Sequence, residues 1–404
     1  MKIFLLVLLQ ALCALNCLAQ NSIDSLWDYF RQQSNLMHEA YENRDPAKYH
    51  ALLSGALKKY HSLLPQQKKM VKPLIASAYY NLSCTYSLLN NKVKALEYLD
   101  SSISNGYYNY SHMQQDADLD NIRHEPRFLK LVEPTRAIGD YVYILKKAAA
   151  FNNDDNRSFP EFTYQPPGDS NLVALKKAFN LDSIAGKGND VSKVINLMHW
   201  IHYLIPHDGN HENPKVKNAM SMINERERDK RGLNCRGLST VLNECYLAMG
   251  FKARFVTCLP KDSLDIDPDC HVINTVFIPS LKKWIWLDPT NDAYVMNEKG
   301  ELLSIAEVRQ RIIDGRTFIL NPDANWNRRS SVTKEQYLYS YMAKNLYMLQ
   351  CPVNSKYDLE TRRKDKPIEK YVVLLPLEYY DQSGADNSSF ATNNEEKFWA
   401  DPYQ

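Results

Sequence analysis

The chain has 404 residues, a formal net charge of +2, and 44% hydrophobic and 24% charged residues. This composition is typical of globular proteins, and a net charge near zero provides no long-range attraction for nucleic acid, so no such partner is predicted. The length allows two or three domains with cores of their own. The 26 tyrosines favour amphipathic packing on helices, with a carbohydrate or peptide groove as the alternative.

Residues 1–19 have the pattern of a signal peptide. Lys2 supplies a positive region, an apolar run follows over 3–15, and Cys17-Leu18-Ala19 fits a cleavage site. This pattern predicts removal of 1–19 and a secreted or periplasmic mature protein. A lipid anchor on Cys17 is the less favoured alternative. The rest of the sequence contains no apolar run of about 18 residues, so no membrane span is predicted.

Helical periodicity dominates residues 20–145, which we predict to form a helical domain. Part of it resembles a tetratricopeptide repeat, with a turn at Asn90-Asn91 and Gly106 after the second helix. The matching positions are Asn81, Leu82, Ser83, Tyr86, Ala95, Leu99 and Ser102. The small side chains among them would let the two helices approach closely. A scaffold role is favoured, and binding of a protein partner through the helical repeats is the alternative.

Residues 146–190 are polar and rich in proline and glycine, which predicts a linker or a strap over the domain junction. These breakers are Pro160, Pro166, Pro167 and Gly168. A domain over 191–325 follows. It opens with a helix whose apolar residues share one face and which ends at Pro206.

Four histidines lie in and just after this helix, namely His199, His202, His207 and His211. Zinc sites use such spacings, but no cysteine or carboxylate set accompanies the histidines in a known pattern. We therefore predict neither a metal nor a cofactor. Under the family resemblance described below, His207 or Asn210 is expected to line the cleft, without an assigned role.

Cys235 begins a second amphipathic helix, which Gly250 ends as a C-cap. Its apolar residues recur at spacings of three and four, at Leu238, Val241, Leu242, Cys245 and Met249. A thiol at a helix N-terminus lies at the positive end of the macrodipole, where its pKa is lowered. Backbone N–H groups there can also stabilise an oxyanion. Cys235 is therefore a candidate nucleophile, although a single helical cysteine is usually a buried structural thiol.

Three runs rich in β-branched and aromatic residues follow, at 252–258, 271–278 and 283–287. They predict an antiparallel meander packed on the Cys235 helix. His271 begins the second strand and Asp288 ends the third. Neighbouring antiparallel strands place the start of one beside the end of the other, so the two side chains can meet. The order Cys235, His271, Asp288 is that of a thiol nucleophile, its general base and the carboxylate that orients the base.

The segment from about 196 to 292 resembles the transglutaminase-like superfamily. The resemblance rests on Asn-Cys-Arg-Gly-Leu at 234–238, Asp-Cys-His-Val-Ile-Asn at 269–274 and Trp-Ile-Trp-Leu-Asp-Pro-Thr at 284–290. It implies a papain-like fold, with Cys235 as nucleophile, His271 as general base and acid, and Asp288 holding the imidazole.

Two positions depart from the family pattern. Ile273 stands where an aromatic residue is common, and Arg236 where tryptophan is frequent. The family includes cross-linking transamidases, cysteine proteases, amidases and inactive members. Membership therefore indicates the chemistry better than the substrate.

Of the eight cysteines, Cys13 and Cys17 leave with the signal peptide. In an exported protein the others can form disulfides. Cys258 ends one predicted strand and Cys270 precedes the next, so antiparallel pairing would bring them close. A disulfide between Cys258 and Cys270 is one alternative and two free thiols are the other, because the sequence does not fix their Cα separation.

The sequence beyond Asp288 carries no recognisable chemistry. A capping box at 304–307 predicts a helix that stops at Gly315. Residues 326–404 are predicted to form a C-terminal extension packing on the catalytic domain, with a buried strand near 370–379 and a loose segment over 382–394.

Together these features predict an α+β protein. A helical repeat-like N-terminal domain precedes a papain-like, transglutaminase-type domain in which helices pack on an antiparallel sheet. The predicted function is cysteine-dependent acyl transfer by thiolate attack on an amide carbonyl of a protein or peptide substrate, with hydrolysis favoured over transamidation. The alternative is a non-catalytic adaptor with a relic transglutaminase-like domain.

Overall fold

The computed structural model describes residues 23–148, 150–154, 157–261, 269–364, 366–376 and 389–404. The chain divides into two units, Met1–Ile144 and Leu145–Gln404. The predicted signal peptide over 1–19 lies outside the described residues. Within the described ranges, every helix is too short or too polar to act as a transmembrane segment.

The N-terminal unit is built from helices, the first of which, α1, spans 23–42. The next are α2 (Pro46–His61), α3 (Pro65–Leu88), α4 (Lys92–Ser104), α5 (Tyr110–Gln115), α6 (Pro126–Val132), α7 (Arg136–Gly139) and, at the unit boundary, α8 (Tyr141–Lys147). Short polar side chains cap several of them, as where Asp45 accepts a hydrogen bond from the Lys48 N–H at 2.9 Å. Their apolar stripes form two cores, one around Leu53 and Ile75 and one around Leu99 and Phe128.

Helices α3 and α4 approach each other closely, as their small residues predicted. The Ser83 hydroxyl donates to the Ala95 carbonyl at 2.8 Å, and the Ser102 hydroxyl donates to the Ala76 carbonyl at 2.8 Å. Both serines are buried, so these bonds satisfy polar groups that would otherwise destabilise the helix contact. The tetratricopeptide-like character of the unit stays a prediction.

The C-terminal unit contains the helices α9 (Ser170–Ala178), α10 (Leu181–Ala185), α11 (Asp190–Leu204), α12 (Ala219–Asp229), α13 (Cys235–Ala248), α14 (Ile305–Asp314), α15 (Ala343–Asn345) and α16 (Glu395–Phe398). A π-helix spans Glu335–Met342. The helix predicted from the capping box is confirmed as α14, with Ser304 as its N-cap and Gly315 in the left-handed region after it. Residues 146–190 are more than a linker, because α9 and α10 bury Leu172, Leu175 and Leu181 in the main core.

A six-stranded sheet forms the centre of this unit, in the order β12-β11-β9-β2-β3-β4. Its strands are β2 (Ala253–Leu259), β3 (His271–Ile278), β4 (Lys283–Leu287), β9 (Met348–Pro352), β11 (Tyr371–Leu374) and β12 (Ser389–Thr392). The predicted meander is confirmed, since β2, β3 and β4 pair antiparallel. Shorter strands form three separate pairs: β1 (Thr163–Tyr164) with β10 (Asn354–Ser355), β5 (Val295–Met296) with β6 (Ile319–Leu320), and β7 (Asn325–Trp326) with β8 (Ser330–Ser331).

The C-terminal residues extend the same sheet. Strand β9 pairs antiparallel with β2, and β11 continues from β9. The expectation of a loose segment over 382–394 is wrong for its end, because β12 pairs parallel with β11 and buries Ala391 and Thr392. Backbone pairing and burial here outweigh the polar composition that suggested a loop. Part of the predicted strand, residues 377–379, lies outside the described residues.

Candidate active site

Cys235 is the first residue of α13, and a polar cap fixes the start of that helix. The Asn234 side chain accepts a hydrogen bond from the Gly237 N–H at 3.1 Å. The Asn213 side chain holds Asn234 in turn, donating to its Oδ1 at 2.7 Å and accepting from its N–H at 3.0 Å. A Cβ on Gly237 would lie 2.7 Å from the Asn213 amide, so the glycine allows this close approach. Cys235 is therefore held at the positive end of a buried helix.

Two hydrogen bonds tie the same helix to β3. The Ser239 hydroxyl donates to the Val272 carbonyl at 2.8 Å, and the Asn274 amide donates to the Ser239 carbonyl at 2.9 Å. All three residues are buried. The contact fixes the start of β3, where His271 lies, beside the start of α13, where Cys235 lies.

His271 and Asp288 meet as predicted from the strand order. Asn274 pairs with Leu287, so the same register places Asp288 opposite Ile273, two residues from His271 and on the same face of the sheet. The imidazole Nε2 of His271 lies 2.7 Å from Asp288 Oδ2. His271 also interacts with Cys235, and each of the two side chains shifts the pKa of the other.

Further donors surround the Asp288 carboxylate. The Tyr337 hydroxyl donates to Oδ2 at 2.6 Å and the Asn291 amide donates to the same oxygen at 3.0 Å. The Thr290 backbone N–H donates to Oδ1 at 2.8 Å. The side chain of Asp288 is fully buried, so these bonds replace the water that would otherwise solvate the charge.

The charges of the three predicted residues stabilise one another. Burial raises the pKa of Cys235, but hydrogen bonds from His207 and His271 and the charge of His271 outweigh it and leave the pKa below its usual value. Burial lowers the pKa of His271, and the Asp288 charge reverses this and raises it. Burial raises the pKa of Asp288, but His271, Asn291 and Tyr337 bring it down to about 2. These directions favour a thiolate–imidazolium pair next to an ionised carboxylate.

His207 is a site residue to which the sequence gave no role. Its backbone N–H donates to Asn327 Oδ1 at 2.6 Å, and the Asn327 amide donates back to its carbonyl at 2.9 Å. A parallel bridge pairs His207 with Leu233, two residues before Cys235. The ring hydrogen-bonds the Cys235 sulfur, and its Nδ1 is buried without a partner in the part of the chain that the structure describes. The sequence predicted a turn over 207–210 near the cleft, but no local pattern indicated that His207 would interact with the Cys235 thiol.

A cleft of about 240 Å³ opens beside these groups. Its walls combine both histidines with aromatic and polar side chains, and they are formed by His207, His271, Thr290, Asn291, Trp326, Val332, Gln336, Tyr337 and Tyr341. The Tyr341 ring packs edge-on against His271, with 5.2 Å between ring centroids. The cleft gives a carbonyl group a way to approach the imidazole of His271, which interacts with Cys235.

The four clustered histidines do not converge on a common metal site. His199 Nδ1 lies 2.5 Å from Asp292, His202 bonds the Pro289 carbonyl, and His211 Nδ1 lies 2.7 Å from Asp208. Each ring is held by a different partner, so these histidines position the loops after β4 and α11.

Among the described residues, the group with metal-ligand spacing is Cys84, Asp116 and Asp118 of the N-terminal unit.

The proposed disulfide between Cys258 and Cys270 is not formed, since both thiols are free. Cys258 pairs directly with His271, so these two side chains leave the sheet on the same face. Cys270 immediately precedes His271 and therefore points to the other face. The alternation of side chains along the strand separates the two sulfurs.

A comparison with known protein families matches part of the C-terminal unit. Residues 177–289 match a family model described as transglutaminase-like superfamily. The chain carries a transglutaminase-like domain. The family match supports a cysteine-dependent enzyme family.

One solved structure is similar, a protein from Cytophaga hutchinsonii described as a putative cysteine protease. It is 18% identical with a TM-score of 0.24, and the alignment covers 40% of this chain and 57% of that chain. The chain thus spans little more than half of that protein. No curated protein matches the sequence.

Proposed function

We propose that the chain is a cysteine-dependent acyl-transfer enzyme that attacks an amide carbonyl of a protein or peptide. The observation that carries the proposal is the position of His271, whose Nε2 lies 2.7 Å from Asp288 Oδ2 and whose pKa is raised by interactions with both Asp288 and Cys235. A base fixed between a nucleophile and an orienting carboxylate is the arrangement that nucleophilic catalysis needs.

The reaction begins with the thiolate of Cys235 and the protonated ring of His271. The sulfur bonds to the amide carbon, and the carbonyl electrons move to oxygen to form an oxyanion. In the proposed mechanism the backbone N–H of Cys235 at the helix end and the His207 ring donate hydrogen bonds to that oxygen, because Cys235 begins the helix and His207 interacts with its thiol. The intermediate then collapses, the C–N bond breaks, and His271 gives its proton to the leaving amine.

The acyl-enzyme is a thioester on Cys235. Water or a second amine attacks its carbonyl, His271 removes the proton of the attacking group, and the C–S bond breaks to restore the thiolate. Water gives a peptidase or amidase, whereas an amine gives a transamidase. We favour water as the acceptor.

A substrate screen tests the proposal. Wild type and Cys235→Ala are incubated with peptides and proteins, and both hydrolysis and incorporation of a labelled amine are scored. We expect product from wild type and none above background from Cys235→Ala, with hydrolysis the larger signal. Equal product from the two proteins, or none from wild type across a broad screen, would favour the adaptor alternative.

We also propose that the protein is exported, on the basis of the signal-peptide pattern in residues 1–19. Amino-terminal sequencing of the protein purified from its native host tests this. A mature chain starting at Gln20 is the expected result. A chain that retains its first 19 residues inside the cell would contradict export without affecting the proposed chemistry.

A further inference from the structure

The N-terminal unit contains a cavity of about 640 Å³ to which no role has been given. Two helices, α1 and α3, each line the cavity with residues from one helix face. Ser34, Met37, His38 and Tyr41 of α1 recur at the spacing of one helix face, and so do Ser77, Tyr80 and Asn81 of α3. The segment over 107–118 closes the cavity with Tyr107, His112, Asp116 and Asp118.

Aromatic rings form much of the wall. Tyr80 and Tyr107 stack with their centroids 4.3 Å apart and an angle of 19° between the planes. The His112 ring lies 5.3 Å from that of Tyr80, and the Tyr107 hydroxyl is 3.0 Å from His112 Nδ1. Rings held in this way offer rigid faces, which attract cations and pack against alkyl chains.

Two carboxylates stand at the same cavity and are held by neutral donors. The Tyr80 hydroxyl donates to Asp116 Oδ2 at 2.7 Å, and the Tyr41 hydroxyl donates to Asp118. Only 16% of the Asp116 side chain is exposed. Among the described residues, neither carboxylate forms an ion pair with a lysine or an arginine, and no such residue lines the cavity. His112 Nδ1 lies 3.9 Å from Asp116 Oδ2 and pairs with it only when protonated, and Glu42 is a further acidic residue of the cavity wall. The negative charge of the cavity is therefore not neutralised by a lysine or an arginine.

A nearby arginine shapes this segment without neutralising the cavity. Arg123 donates to the backbone carbonyls of Met113 and Asp116 and pairs with the Asp120 carboxylate at 2.8 Å. Its guanidinium thereby fixes the backbone that carries the two cavity aspartates. Arg123 therefore holds the backbone of this loop in place and does not form an ion pair with the carboxylate of Asp116 or Asp118.

The neutral donors keep their protons. Burial, followed by acidic neighbours, raises the pKa of both Tyr41 and Tyr80. Burial and the Asp116 charge also raise the pKa of the Cys84 thiol, which donates to Asp116 Oδ2 at 3.7 Å. Asp116 and Asp118 line a cavity of about 640 Å³ together with the aromatic side chains of Tyr80 and Tyr107. This volume and lining suit an organic cation that carries an alkyl chain.

We propose that this cavity binds an alkyl ammonium group, namely the lysine side chain of a basic segment in a protein partner. The carboxylates of Asp116 and Asp118 accept hydrogen bonds from the ammonium, and the rings of Tyr80 and Tyr107 contact the methylene chain. The inference goes beyond acyl transfer, since it concerns recognition by the N-terminal unit.

Calorimetric titration of the full-length Cys235→Ala protein tests the proposal, because that variant has no nucleophile and its result does not depend on the proposed chemistry. The probes are Nα-acetyl-lysine-N-methylamide, its neutral isostere with norleucine, and free cadaverine. We expect the lysine probe to bind at least about 10-fold more tightly than the norleucine probe, because charge-assisted hydrogen bonds are lost with the ammonium. It should also bind more tightly than cadaverine.

Matched variants complete the experiment. Asp116→Asn and Asp118→Asn keep the shape of the side chain and remove its charge, and each should weaken the lysine probe by about 5-fold or more. Asp100→Asn is the control, because Asp100 is half exposed, pairs with Arg127 and lies outside the cavity. Circular dichroism verifies that each variant is folded.

Several outcomes would overturn the proposal. Equal binding of the lysine and norleucine probes would show that charge is not recognised, and lysine binding unchanged in the double aspartate variant would place the site elsewhere. Tighter binding of cadaverine would assign the cavity to a free amine in place of a protein. Uptake of Ca²⁺ or Zn²⁺ with no response to the lysine probe would make it a metal site.

Discussion

Two carboxyl groups of the C-terminal unit are equally buried and yet ionise in opposite ways. Asp288 lies behind the cleft, and burial raises its pKa, but His271 and neighbouring donors bring it down to about 2. Glu244 lies on α13, and burial raises its pKa to about 8. The backbone N–H groups of Ala219 and Asp358 donate to Glu244 at 2.7 and 2.9 Å and do not reverse that effect.

The opposite pKa shifts of Asp288 and Glu244 show that burial alone does not determine whether a carboxyl group is ionised. Both groups accept hydrogen bonds from neutral donors, from Tyr337, Asn291 and the Thr290 N–H at Asp288 and from two backbone N–H groups at Glu244. The larger difference lies in the charged neighbours. Asp288 faces the imidazolium of His271, whereas the charged neighbour Asp358 raises the pKa of Glu244 further. A buried carboxylate keeps its charge where a buried cation faces it. At the cleft, Asp288 is therefore ionised and paired with the imidazolium of His271. Glu244 is protonated at neutral pH and has a structural role.

The largest effect is expected from removing the charge of Asp288. Asp288→Asn keeps the side-chain volume, but the ring of His271 loses its charged partner and its orientation. We expect kcat to fall by about 10⁴-fold, as when the aspartate of a catalytic triad is neutralised. Glu244→Gln is the matched control, because it makes the same chemical change at a buried site away from the cleft. Comparable losses of kcat in the two variants would contradict the distinction drawn between the two carboxyls.

His207 should have the next largest effect. His207→Ala removes one hydrogen bond to the sulfur and one donor for the oxyanion, and we expect kcat to fall by about 100-fold. His207→Gln retains a neutral donor and should recover part of that loss, with KM changing little in either variant. Steady-state kinetics and the pH profile of kcat/KM measure this. A rise in KM alone, with kcat unchanged, would show that His207 only shapes the cleft.

A smaller effect is expected from Tyr337→Phe. The substitution removes a hydroxyl that donates to Asp288 at 2.6 Å and leaves the ring in place against Trp286. We expect about a 10-fold loss of kcat, because hydrogen bonds to a charged group contribute about 1.5–3 kcal/mol. The same variant should raise the pKa of Asp288. An unchanged kcat would mean that Asn291 and the Thr290 N–H suffice to hold the carboxylate.

Glu244→Gln should have little effect on activity and instead change how stability depends on pH. The folded pKa of Glu244, about 8, lies above its ordinary value of 4.5. Its contribution to stability is therefore present below about pH 4.5 and is lost as the pH rises through 8. Relative to the glutamine variant, wild type should lose about 2–4 kcal/mol of unfolding free energy between pH 4.5 and 8. Urea denaturation at both pH values measures this, and parallel curves would mean that Glu244 is ionised in the folded protein.

The sequence predicted the parts of the site that local patterns determine. A helix beginning at Cys235, a strand beginning at His271 and an aspartate after the next strand follow from periodicity and turn residues, and the structure has all three. The contact between His271 and Asp288 followed because antiparallel register is a short-range consequence of a tight turn. The family resemblance then indicated the chemistry.

The rest depends on distant contacts that no local pattern contains. Tyr337 reaches Asp288 from a π-helix, and a sequence does not signal where a helix will widen. Strand β9 pairs with β2 although some ninety residues separate them along the chain. Cys258 and Cys270 point to opposite faces because Cys258 pairs with His271 and not with Cys270. A shift of one residue in this register would change that result, and the spacing of the two cysteines in the sequence does not determine the register.

The most direct test of the account is the pH dependence of Cys235 alkylation by iodoacetamide, followed peptide by peptide with mass spectrometry. The thiolate–imidazolium pair predicts rapid alkylation well below pH ~8.5, the pKa of a free thiol, and loss of that reactivity in His271→Ala. A rate that rises only near pH ~8.5 in wild type, and that is the same in His271→Ala, would contradict the central claim.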